Sequence, residues 1–93
     1  MYRLEVTGQF KKDLKKVKKR AKDFELTRHL LLNLQSKGKD GVPPKMKPNQ
    51  LIGNYKNHWE CHIKPDLLII WFQIENPKTI KLIRIGSHSD LFN

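Results

Sequence analysis

The sequence predicts an α+β fold, with two N-terminal helices packed on one face of a twisted, mainly antiparallel four-stranded sheet. Three observations predict it. An alternating stretch opens the chain. Two segments with helical apolar spacing follow. Strand-like apolar runs separated by turn residues fill the second half. At 93 residues, the span 1–93 is expected to form one domain.

Tyr2, Leu4 and Val6 alternate with Arg3 and Glu5, the period of a half-buried strand. Thr7 or Gly8 then caps a helix whose apolar face is Phe10, Leu14, Val17 and Ala21. Asp23 is the expected cap of a second helix, with Leu26, Leu30, Leu31 and Leu34 as its face. Ser36-Lys37-Gly38 ends it. From Lys37 to Gln50 no period is visible. Gly38, Gly41, Pro43, Pro44 and Pro48 predict a connection without regular structure, made basic by Lys37, Lys39, Lys45 and Lys47. Gly53-Asn54 marks a turn, and Tyr55 to Ile63 reads as a strand. Lys64-Pro65-Asp66 is a tight turn. Leu67 to Ile74 is apolar on both faces, as a central strand requires. Asn76-Pro77-Lys78 turns the chain into a last strand, Thr79 to Gly86, and a short tail ends at Leu91-Phe92-Asn93.

Composition narrows the function classes. Hydrophobic residues make up 38% of the chain, and no apolar run approaches the ~20 residues that span a bilayer. No secretion signal is recognisable. Cys61 is alone, which excludes an intramolecular disulfide and fits a reducing cytoplasm. The formal net charge is +10, and it is uneven: Lys11, Lys12, Lys15, Lys16, Lys18, Lys19, Arg20 and Lys22 crowd one segment. Like charges at i,i+4, such as Lys11–Lys15 and Lys18–Lys22, each cost a few tenths of a kcal/mol. A face that binds phosphate, or that docks an acidic partner, accounts for that tolerated repulsion.

Two histidine segments carry the candidate chemistry. One is Glu60-Cys61-His62-Ile63-Lys64-Pro65-Asp66; the other is Arg84-Ile85-Gly86-Ser87-His88-Ser89-Asp90-Leu91-Phe92. Imidazole is the side chain best suited to moving protons near neutral pH. Glu60 and His62 share strand parity and so one face. Asp66 sits in the turn, and the meander brings the last strand back beside Leu67–Ile74. Arg84 and His88 share a face only if extended geometry continues through Gly86. RNA cleavage needs a base for the ribose 2′-OH, an acid for the leaving 5′ oxygen and a cation for the phosphate; it needs no metal or other cofactor. His58, Cys61 and His62 do not make a metal site, because neighbours in a strand point to opposite faces.

The patterns H-x-x-P-D and R-x-G-[ST]-H-x-x-L-F, with Gly53-Asn54-Tyr55-Lys56, resemble the YafQ branch of the RelE/ParE toxin superfamily of toxin–antitoxin systems. The resemblance covers nearly the whole chain. It implies a RelE-like fold and a ribosome-dependent, metal-independent messenger RNA endonuclease, held inactive by a dimeric antitoxin with an acidic or amphipathic wrapping segment. It implies catalytic roles for His62, Asp66, Arg84 and His88, with His88 as general acid and His62 or Asp66 as base. Glu60 falls where the family often has another acid, and Phe92 where it has a base-stacking aromatic. Lys47 and Asn49, with Lys11, Lys15 and Lys18, are the expected RNA contacts. Asn49 stands where relatives in this branch carry a histidine, Trp59 where arginine is common, and Leu67 where tryptophan occurs. The alternatives are a non-nuclease toxin on the same scaffold, such as the gyrase inhibitors of the ParE branch, or a basic RNA-binding module. Two histidines with nearby acids favour the nuclease, because a pure binder needs lysine and arginine but not imidazole.

Overall fold

A computed structural model describes residues 1–92; Asn93 of the tail lies outside the described residues. The element order is β1 (Arg3–Val6), α1 (Gly8–Lys18), α2 (Ala21–Lys37), β2 (Asn49–Gln50), β3 (Trp59–Lys64), β4 (Leu67–Glu75), β5 (Lys78–Gly86) and α3 (His88–Phe92). The sheet has five strands in the order β1-β5-β4-β3-β2. The expected four-stranded sheet is therefore corrected on two counts. β1 runs parallel to β5, and β2 adds a short edge strand antiparallel to β3.

Thr7 caps α1: its Oγ1 accepts the Phe10 N–H at 3.2 Å and donates to the Leu82 carbonyl at 2.8 Å. Asp23 is not the cap of α2. It lies inside the first turn and binds Lys64 Nζ at 2.7 Å, while Arg20 occupies the cap position without a side-chain bond. Gly38 ends α2 with φ 61 and ψ -144, a backbone conformation that residues with a side chain rarely adopt.

The segment 37–50 is more ordered than its composition predicts, with 3₁₀ turns at Gly38–Gly41 and Pro44–Met46 before β2. β3 begins at Trp59 rather than Tyr55, because Gly53–Tyr55 forms another 3₁₀ turn and Asn57 takes φ 70. The tail folds into α3 instead of continuing as extended chain.

Apolar residues on both faces of β4 make it the spine. Ile69 and Trp71 join Phe10, Val17, Leu30 and Leu34 in the core beneath the helices. Leu68 and Ile70 face the other way and pack with Leu91, Leu51, Tyr55 and Ile83. We call this second side the outer face.

Leu34→Ala, at a residue with no exposure, should lower unfolding stability by about 2–5 kcal/mol. Leu32→Ala, 52% exposed on the same helix, should change it by less than about 0.5 kcal/mol. Urea unfolding of the two variants checks the assigned face; equal losses would contradict it.

Candidate active site on the outer face of the sheet

Strand register decides which residues meet. His62 pairs with Leu68, and Leu68 with Gly86; Glu60 pairs with Ile70, and Ile70 with Arg84. Residues opposite one another in antiparallel strands share a face. Two rows therefore cross the outer face, with Leu68 and Ile70 as the apolar floor between the β3 and β5 ends. Each row spans two strand spacings, about 10 Å. Asn49 stands opposite Glu60 and extends that row onto β2.

The β3–β4 turn ties both histidines to this face. His62 Nδ1 lies 3.4 Å from the Pro65 carbonyl. A carbonyl only accepts, so Nδ1 carries a proton in this contact, and in the neutral ring Nε2 is the acceptor. The neighbouring residue, Asp66, accepts the His88 backbone N–H at 3.2 Å. Ser87 Oγ accepts the Asp90 N–H at 3.2 Å, which caps the turn into α3. His88 thus joins Arg84 of β5 through a helix that folds back, not through continued extension. Leu91 supplies the packing of α3, being 5% exposed, whereas Phe92 projects at 39%. The Phe92 ring stands 5.0 Å from His88 and 5.9 Å from Tyr55 between centroids.

Arg84 is held by a residue that the sequence reading passed over. Its Nε donates to Asp13 Oδ2 at 2.8 Å and its Nη2 to Oδ1 at 3.3 Å. The Ile85 N–H and Gln9 Nε2 donate to the same carboxylate at 3.1 and 3.0 Å. Burial alone would raise the Asp13 carboxyl, but the bonds from Arg84, Ile85 and Gln9 outweigh it and hold it below the usual carboxylate range. The bond to Asp13 in turn raises Arg84. Asp13 takes two of the five guanidinium N–H groups, and the others face Tyr55 or a ligand. The available signal was Asp13 itself, an acid on the apolar face between Phe10, Leu14 and Val17.

Glu60 Oε1 is buried without a hydrogen-bond partner among the described residues. On the opposite face, burial and then the Glu60 charge push the Cys61 thiol up to about 12, so it is no nucleophile.

A profile of the family described as "Bacterial toxin of type II toxin-antitoxin system, YafQ" matches residues 2–93. The chain belongs to the YafQ family. A curated relative, the mRNA interferase toxin YafQ of Escherichia coli strain K12, is 30% identical over 89 residues, covering 96% of this chain and 94% of that protein. The crystal structure of YafQ from E. coli strain BL21(DE3) superposes with a TM-score of 0.88 at 28% identity, over 100% of both chains. YafQ in the E. coli DinJ–YafQ toxin–antitoxin complex gives 0.85 at 29% identity, over 99% of this chain and 98% of that one. As a YafQ family member, the chain is an endoribonuclease of the mRNA interferase class.

Not every expected contact residue joins the site. Lys47 does, lining a cleft with His62. Lys11, Lys15 and Lys18 do not: they lie about 100–160° around the α1 axis from Lys16. Lys16 and Arg20 border the clefts that hold Asp66 and Ser87, and Lys16 the one that holds Arg84. Lys18 Nζ instead sits 5.6 Å from the Phe24 ring centre. Docking through Asp13 fixes the rotation of α1 and turns those three lysines away.

Asp13→Asn should cost about 1–3 kcal/mol at pH 7. Because the folded carboxyl lies below its unfolded value of about 3.9, its contribution is present above that pH and lost as pH falls through the folded value. The gap between wild type and variant in urea midpoint should therefore narrow on acidification below about pH 4. A gap that does not change with pH would remove the charge from this account.

Proposed function

We propose that the chain is the toxin of a type II toxin–antitoxin system that cuts messenger RNA on the ribosome without a metal. The observation that carries this is the pair of rows across the outer face, Glu60–Ile70–Arg84 and His62–Leu68–Gly86. Proton-carrying and cationic groups stand at either side of an apolar floor wide enough for a phosphodiester. His62 Nε2 takes the proton of the ribose 2′-OH. The 2′ oxygen attacks phosphorus, the P–O5′ bond breaks, and His88 gives a proton to the departing O5′. The products are a 2′,3′-cyclic phosphate and a 5′-OH end. The free N–H groups of Arg84 meet the charge that builds on the phosphoryl oxygens. Phe92 stacks on a base beside the break. Asp66 acts through position, holding the His88 backbone, and Glu60 and Asn49 border the ribose side. This assigns the base to His62, whose Nδ1 contact orients Nε2 as the acceptor, and a positioning role to Asp66, which holds the His88 backbone.

Family membership favours this reading over the gyrase-inhibiting and plain RNA-binding alternatives. The partner is a cognate antitoxin, as E. coli YafQ has DinJ. Among the described residues no helix is long and apolar enough to cross a membrane, in keeping with a cytoplasmic toxin that works as one domain over 1–93.

His88→Ala should slow ribosome-bound mRNA cleavage by about 10²–10⁴-fold with an unchanged thermal midpoint. Mapping of mRNA 3′ ends in a single-turnover assay reads it; full cleavage by the variant would end the acid assignment. With intact ribosomes supplied, wild-type cleavage should persist after the toxin is stripped with EDTA, and loss restored by a divalent ion would point to metal chemistry.

A further inference from the structure

We propose that the cleft between the Pro44–Met46 turn and the β3–β4 turn is a subsite for the nucleotide that adjoins the scissile phosphate. This rests on the ribonuclease reading and extends it to the side of His62 away from Arg84 and His88. The cleft has a volume of about 560 Å³ and is lined by Lys45, Met46, Lys47, Ile63, Lys64 and Pro65, with His62 on its wall.

Its chemistry is divided as a nucleotide is. Met46, Ile63 and Pro65 give an apolar floor for a base, and Lys45, Lys47 and Lys64 line its rim. No acid lines it. Lys64 is already bound to Asp23 at 2.7 Å. Among the described residues, Lys45 and Lys47 make no ion pair, so theirs is the charge on offer.

Lys47 is held there against backbone preference. It has φ 53 and ψ 60, the left-handed region, and its N–H closes the 3₁₀ turn on the Pro44 carbonyl at 3.0 Å. Glycine or asparagine is the ordinary occupant of such a position. The turn bond to Pro44 holds this conformation and fixes where the Lys47 side chain leaves the backbone.

Connectivity of the RNA supplies the last step. A strand cut beside His62 must continue on both sides of the break. Toward β5 it meets Arg84 and Phe92. On the far side of β3 it meets this cleft, which shares the His62 imidazole as a wall. An acidic peptide would use the lysines but has no stated need of the imidazole, so RNA is the favoured occupant.

The double variant Lys45→Ala/Lys47→Gly tests this. Glycine adopts φ 53 freely, so thermal unfolding of the full chain should show no loss of stability. In single-turnover cleavage on the ribosome, the half-saturating toxin concentration should rise about tenfold, with the saturating rate within about twofold of wild type. Adenosine 5′-monophosphate, titrated into the ¹⁵N-labelled protein, should shift the Met46 and Ile63 amides in wild type and not in the variant. An unchanged half-saturation, a loss confined to the rate, or nucleotide shifts elsewhere would overturn the proposal. So would weakened antitoxin binding with RNA half-saturation unchanged, which would make the cleft a protein dock. If the double variant fails to fold, Lys45→Gln/Lys47→Asn gives the same readings. Failure of the wild-type chain to cleave mRNA would instead overturn the ribonuclease reading, because the nucleotide titration reports on the cleft with or without cleavage.

Discussion

The Asp13 carboxylate completes a sheet edge that no strand covers. β1 pairs with β5 only as far as Leu82, so the backbone of β5 beyond it needs another partner. Thr7 takes the Leu82 carbonyl, and Asp13 takes the Ile85 N–H. A buried carboxylate is costly unless its lone pairs are filled, and here four donors fill them. One group thereby docks α1, closes the edge of β5 and fixes the guanidinium of Arg84. The position of every lysine on α1 follows from that docking.

A bulge in β5 completes what Asp13 begins. Trp71 pairs with Leu82, and the next residue back on β4, Ile70, pairs with Arg84. Ile83 is the extra residue. In a regular strand Arg84 would share the face of Leu82 and point into the helix-side core, since side chains alternate with a period of two. The bulge changes that parity, so Arg84 stands with Ile70 while Ile85 returns to the core. An arginine inside an apolar core would be unpaired; one residue of slack makes it available to a ligand.

What was legible in the sequence was whatever depends on local period. The two-sided apolar run of β4, the Lys64-Pro65-Asp66 turn and the shared parity of Glu60 and His62 all follow from alternation. The parallel pairing of β1 was not legible, because a four-residue strand carries no mark of its neighbour. β2 has two residues and hence no period at all. α3 had a readable sign in Ser87 three residues before Asp90, a capping spacing. The bulge also left a trace: the apolar doublet Leu82-Ile83 interrupts the alternation of β5. The rotation of α1 was not legible for one physical reason. A helix face defined by apolar residues alone omits Asp13, and including it turns Lys16, not Lys11, Lys15 or Lys18, toward the site.

The charge distribution connects fold to substrate. Asp13 is bound by Arg84, Asp23 by Lys64, and Asp66 by a backbone N–H. Glu60 on the outer face keeps an oxygen unpartnered among the described residues, whereas these three acids are tied into structure. Each such pairing also fixes a strand end or turn that carries a functional group. Folding and electrostatics therefore share contacts: the ion pairs that assemble the site leave its charge balance unchanged and fix where each charge stands. The rims beside His62 and Arg84 carry cations of their own. There Lys16, Arg20, Lys45 and Lys47 attract a polyanion toward groups already oriented to act on it.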